Sequence, residues 1–354
     1  MYVSMWVIPI FLIITILTNG IDYCFENLAC AGAFLSNPKS FFTENTETDA
    51  VNEMANSENV EVETAVQVSA IPDDIQRLIN EAEIQYANST NDGEITEKDY
   101  SIQNATSELD GLYVRNTTLS HQINIEKYLK SRVYADIDKS KPSVLIYHTH
   151  TTETYELLDR GFYTNERDSR SENDDENMIR IGEEICSVLE ENGYITIHDK
   201  TVYDKEYSGA YDRSRESITK ILKDNPSIQI VLDIHRDAIY LKDGTRVKPT
   251  TEINGQKTAQ IMIISGCEDG NVTDFPNWEK NLSFAVQLQN KIKTTYPSLL
   301  RPLLFCSRKY NMDLTPCSLL IEIGTDSNTL SEAVYSANLF AQELSSFLEE
   351  FQYE

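Results

Sequence analysis

Three short apolar runs, Val144–Tyr147, Ile228–Ile234 and Leu319–Ile323, constrain the fold of this chain more than any other feature. Each is rich in aliphatic and β-branched residues and too short for a helix, so each reads as a buried strand. Helical patterns lie between and after them. Asn177–Asn192 sets Ile181, Ile185, Val188 and Leu189 on one face and stops at Gly193. Ser214–Lys223 ends before Pro226, Trp278–Tyr296 is a long helix, and Thr329–Phe351 is the closing one. Ile195–His198 and Ala259–Ser265 add two strands. Strands alternating with helices predict an α/β fold, a mostly parallel sheet flanked by helices on both faces. We place this domain at residues 112–354, long enough for one core.

The amino-terminal third has a different character. Val3–Ile21 carries no ionised side chain and is long enough to cross a hydrocarbon core of about 30 Å as a helix. Residues 1–22 are therefore expected to form a transmembrane anchor. A cleavable signal peptide ending near Ala29-Cys30-Ala31 is the alternative, disfavoured by the length of the run and by Asp22 and Glu26. Either places the rest of the chain outside the cytoplasm. Residues 23–111 are rich in Glu, Asp, Asn, Ser and Thr and are expected to be a largely disordered acidic linker. Within it Asp73–Ala87, with Ile75, Leu78, Ile79 and Ala82 on one side, is expected as a transient spacer helix. A net charge of −27 argues against nucleic acid as a partner. The 6 cysteines form no CxxC pair, which leaves no zinc knuckle or thioredoxin-like motif.

The polar residues at the strand ends point to chemistry. Only 5 histidines occur, and His148 and His150 both follow the first strand run, while His235 follows the second. Sites in α/β proteins form outside the carboxyl ends of strands. A catalytic zinc takes about three protein ligands and keeps one position open. His150, Glu153 and His235 are the candidate ligands; Glu153 could instead cap a helix. His148 and His150 are expected to point opposite ways, with His148 a polar core residue. Glu322, inside Leu319–Ile323, is costly to bury without a partner, and a general base acting on a water at the metal would have one. Asp233 is expected to orient a histidine. Arg236 could hold a substrate carboxylate, or pair with Asp237 at the surface. His121 and His198 are expected to be structural or solvated. These residues predict an extracytoplasmic metallohydrolase.

The string from Leu145 through His148-Thr149-His150-Thr151-Thr152-Glu153 to Tyr155 resembles the signature of the stage II sporulation protein P family. Asp233-Ile234-His235-Arg236-Asp237-Ala238, Leu320-Ile321-Glu322-Ile323-Gly324 followed by Asn328, and the helix opening at Asn177 with Ile181 and Gly182 resemble it too. The match spans roughly Leu112 to the carboxyl terminus, with an anchor of the same kind before it. The resemblance implies a zinc-dependent peptidoglycan hydrolase related to N-acetylmuramoyl-L-alanine amidases, cutting stem peptides from glycan and peptide cross-links during forespore engulfment. It implies His150 and His235 as metal histidines and Glu322 as the catalytic glutamate. Glu153 and Glu176 compete for the third ligand position, with Glu153 preferred. It also implies stage II sporulation proteins D and M as partners, at the membrane of the septal space. A catalytically silent wall-binding scaffold and a carboxypeptidase on free peptides are the competing readings.

Overall fold

The computed structural model describes residues 71–351, and the expected anchor lies outside them. Among the described residues no helix is long and apolar enough to cross a membrane. The chain runs α1 (Asp73–Gln85), β1 (Gly93–Lys98), β2 (Ser107–Leu109), β3 (Leu112–Asn116), α2 (Ile125–Leu129), β4 (Pro142–Tyr147) and β5 (Phe162–Tyr163). It continues through α3 (Met178–Glu191), β6 (Ile195–His198), α4 (Ala210–Asp224), β7 (Ile230–Asp237), β8 (Arg246–Ile253), β9 (Gln256–Ala259) and β10 (Ile261–Gly266). The last elements are α5 (Trp278–Thr295), β11 (Leu303–Cys306), β12 (Ser318–Thr325) and α6 (Leu330–Leu348).

An eight-stranded sheet in the order β2-β3-β11-β10-β12-β7-β4-β6 forms the centre. β12, β7, β4 and β6 run parallel to one another. β10 then pairs antiparallel with β12, and β11 and β3 follow its direction. β4, β7 and β12 are buried on both faces, which is why they read as continuous apolar runs. One face packs against α3, α5 and α6 through residues such as Ile181, Leu288 and Phe340. The other face of the parallel half meets α4, where Leu145 and Val231 pack on Ile218. Helices thus cover both faces, as expected.

Two expectations change. The compact unit begins at Ile71 rather than Leu112. Ile75, Leu78 and Ala82 of α1 are buried in the main hydrophobic cluster, and Asp74 and Arg77 pair with Arg180 and Asp175. A short apolar stripe in an acidic stretch looks like a spacer until the surface it covers is present. A second sheet, β5-β1-β8-β9, was not foreseen either. Its strands, such as GEITEK and QKTA, are polar and short and carry no sustained alternation. The four described cysteines, Cys186, Cys267, Cys306 and Cys317, are free and buried.

Candidate metal centre

β4 and β7 are neighbours in register, and β7 is in turn paired with β12, so three strand ends lie side by side. In the last pairing Glu322 sits opposite His235. The loop after β4 brings His150 and Glu153 to the same place, Glu153 N–H donating to the His150 carbonyl at 3.2 Å. Among the described residues, His150, Glu153 and His235 form a buried group whose ligand atoms all lie within 4.8 Å of one another.

The glutamate spans the two imidazoles. Its Oε1 is 3.4 Å from His150 Nδ1 and its Oε2 is 3.4 Å from His235 Nδ1. That is long for a hydrogen bond, but two ligands each about 2.1 Å from a tetrahedral zinc would stand about 3.4 Å apart. His150 Nδ1 and one oxygen of Glu322 are buried without a hydrogen-bond partner. An orphaned His150 nitrogen at ligand spacing is costly unless something fills the gap, and a divalent cation fits the donor set of His150, Glu153 and His235.

Electrostatics sharpen the picture. Burial works against charge on Glu153, yet Arg236 and the two histidines hold its carboxyl well below the usual range. For His235 burial is likewise outweighed, by Asp233 and Glu153, and its pKa is raised. Glu322 goes the other way: burial, then the charge of Asp237, pushes it up to about 8. A carboxyl poised near neutrality beside a charged cradle suits proton transfer.

Each remaining candidate has a definite place. Asp233 accepts from Thr149 N–H at 2.8 Å and from Thr149 Oγ1 at 2.7 Å, fixing the loop that carries His150. Its Oδ1 is also 2.9 Å from His235 Nε2, an ion-pair distance without hydrogen-bond alignment. Arg236 does not open toward a substrate. Its Nε donates to the Thr154 carbonyl and its Nη2 to that of Ser169, while its backbone N–H meets Glu153 Oε2 at 3.3 Å. It holds the ligand loop. Asp237 pairs instead with Arg301, at 2.9 Å. Glu176 is kept out of the cradle by Arg167 at 3.1 Å and Ser171 at 2.9 Å.

His148 and His150 part company. His148 bonds the Ile234 carbonyl at 3.0 Å and His198 Nε2 at 2.9 Å, deep in the core. Strict strand alternation would keep residues two apart on one face; the chain leaves the strand after Tyr147, and that break separates them. A Cβ on Gly182 of α3 would lie 2.4 Å from His198 Nε2, so only glycine lets the helix approach the histidine pair. Gly324, at φ +64°, lies in the register shift between Glu322 and Thr325 of β12, and Asn328 Oδ1 accepts the next N–H at 2.9 Å. His121 is held by the Glu268 carbonyl at 2.8 Å and lies against Trp278.

Sequence reasoning missed the aromatic wall. Tyr207 stacks on His150 at 4.8 Å, and Tyr211 lies edge-on to His150 and parallel to His235, at 5.6 and 6.4 Å. Arg170, 3.6 Å from Glu153, also pairs with Asp204. No motif marks these residues, since Arg170 and Tyr207 arrive on loops and Tyr211 on the first turn of α4, apart in sequence from the ligands.

The fold and the site together define an α/β protein with a buried His-Glu-His group fit for a divalent cation. The chain belongs to the Stage II sporulation protein P (SpoIIP) family, whose model matches residues 34–345. Over 217 residues it is 30% identical to Stage II sporulation protein P of Bacillus subtilis (strain 168), covering 58% of this chain and 51% of that one. It thus spans about half the length of that curated relative. In chain course it is similar to the N-acetylmuramoyl-L-alanine amidase AmiC2 of Nostoc punctiforme, at 12% identity and TM-score 0.36, over 59% of this chain and 96% of that one. It is similar in the same way to the CwlD amidase of Clostridioides difficile, at 12% identity and TM-score 0.37, over 59% and 98%.

Proposed function

We propose that this chain is a zinc-dependent peptidoglycan hydrolase. It removes stem peptides from the cell wall as an N-acetylmuramoyl-L-alanine amidase, and cuts peptide cross-links as well, during forespore engulfment. The observation that carries the reading is the His150-Glu153-His235 cradle beside the buried Glu322, in a chain of this family.

His150, Glu153 and His235 would hold the ion. Zinc, when bound, supplies Lewis-acid activation of the attacking water and of the scissile carbonyl. Glu322, acting as its carboxylate, takes the proton of the water as the water oxygen bonds to the carbonyl carbon. It then hands that proton to the departing amine as the carbon–nitrogen bond breaks. Asp233 and Arg236 keep the loop carrying His150 and Glu153 in place throughout. The residues 1–22 anchor the protein in the membrane, with the domain in the septal space and stage II sporulation proteins D and M beside it.

Zinc content of the purified full chain, together with digestion of isolated sacculi and mass analysis of the products, tests this. About one zinc per chain and stem peptides freed from intact glycan are expected. A protein that binds sacculi but releases nothing would be the silent scaffold. Cleavage of soluble peptides alone would make it a carboxypeptidase.

A further inference from the structure

Tyr211 is the second residue of α4, and its place in the site is fixed from several sides. Asn311 Nδ2 donates to the Tyr211 carbonyl at 3.1 Å and to Ser214 Oγ at 3.0 Å. Ser214 in turn meets Thr149 Oγ1 at 2.9 Å, and Thr149 is held by Asp233. The first turn of α4 is therefore locked to the framework that carries both candidate metal histidines. On that framework the Tyr211 ring lies parallel to His235 within 13° and edge-on to His150. The ring is partly exposed, and its hydroxyl makes no hydrogen bond among the described residues.

A rigidly mounted donor with no partner of its own among the described residues, its ring set against both candidate ligand histidines, has the attributes of transition-state stabilisation. We propose that Tyr211 is a catalytic residue, donating a hydrogen bond to the carbonyl oxygen of the scissile amide as negative charge develops there. The inference rests on the hydrolase reading above. When the water oxygen bonds to the carbonyl carbon, the carbon–oxygen π pair moves onto oxygen. Glu322 receives the water proton, and the phenol keeps its own while donating to the charged oxygen. When the carbon–nitrogen bond breaks, the pair returns and the proton on Glu322 goes to the amine. No oxidant or further reactant is needed.

Tyr211→Phe tests this, because the ring and its packing remain and only the hydroxyl goes. Loss of one such donor is typically worth about 10²- to 10³-fold in rate. In the zinc-loaded full chain, kcat on sacculi should fall by that factor, with KM and zinc content unchanged. A peptide phosphinate, which presents a tetrahedral oxyanion, should bind the variant more weakly by a similar factor in calorimetry, while an uncleaved substrate peptide binds both proteins alike. Unchanged kcat and unchanged phosphinate affinity in the variant would overturn the assignment of Tyr211 alone. A wild-type chain that neither releases stem peptides nor binds the phosphinate would overturn the hydrolase reading, and this inference with it. Equal loss in KM and kcat with lower zinc would reduce Tyr211 to a packing residue.

Discussion

Two histidine pairs, each with one member in the loop after β4, have opposite characters in this molecule. His148 and His198 share a 2.9 Å contact, and His148 also bonds a backbone carbonyl. His150 and His235 are separated by a glutamate at 3.4 Å from each, with a nitrogen of His150 left unpartnered. The first pair satisfies itself; the second is held ready for something else. Burial does not tell them apart, since His148, His150 and His235 are all nearly inaccessible. What differs is whether the surroundings complete the hydrogen bonding, and that separates structural from functional polar groups in a core.

The largest effect should come from breaking the open pair. His150→Ala or His235→Ala removes a ligand, and bound zinc and wall hydrolysis should vanish together in purified protein, while His148→Ala keeps its zinc. Zinc retained in His150→Ala would exchange the roles of the pairs. Next comes Glu322→Gln, which keeps volume and loses the proton acceptor. Activity on sacculi should fall about 10²- to 10⁴-fold with metal and fold intact. Loss of metal there would make Glu322 a ligand.

The closed pair should speak through stability. Gly182→Ala drives a methyl to 2.4 Å from His198 Nε2 and 2.6 Å from His148 Nε2. Overpacking of this kind typically costs about 1–3 kcal/mol, readable from urea unfolding. An unchanged midpoint would show that the pair gives way easily. The pH dependence is smaller and has a definite sign. Burial lowers His148 from 6.5 to about 3 and His198 from 6.5 to about 4. Below pH 6.5 the unfolded chain takes up protons that the folded pair refuses, so the pair's contribution is full above 6.5 and fades toward 4 and then 3. The urea midpoint should fall across that window, and more gently in His198→Gln. Equal slopes would remove the pair from the account.

Much of this was readable in advance where burial and chemistry coincide. β4, β7 and β12 are apolar on both faces, and a histidine or glutamate at the end of such a strand has few reasons to be there. Glu153 was distinguishable from Glu176 only as a preference, because both lie in polar loop sequence. Arg170, Tyr207 and Tyr211 carry no such signal, because tertiary folding alone brings two loops and the start of α4 to the ligands. Arg236 misled for a related reason. An arginine beside ligands reads as a substrate clamp until the carbonyls of Thr154 and Ser169 are seen to occupy it. The boundary at Ile71 was hidden because three apolar residues in a charged helix carry no signal of what they cover.

That helix also sets where the domain feels a pull. The chain preceding Ile71 enters the fold through α1, not through the edge strands of the sheet. Tension applied from the amino-terminal side is therefore delivered first to the contacts of Ile75, Leu78 and Ala82 and to the ion pairs of Asp74 and Arg77. These are few, and the pairs are partly exposed, so α1 would peel away before any strand bearing a ligand moved. A load entering from that side would thus meet α1 first, while the cradle of His150, Glu153 and His235 keeps its shape.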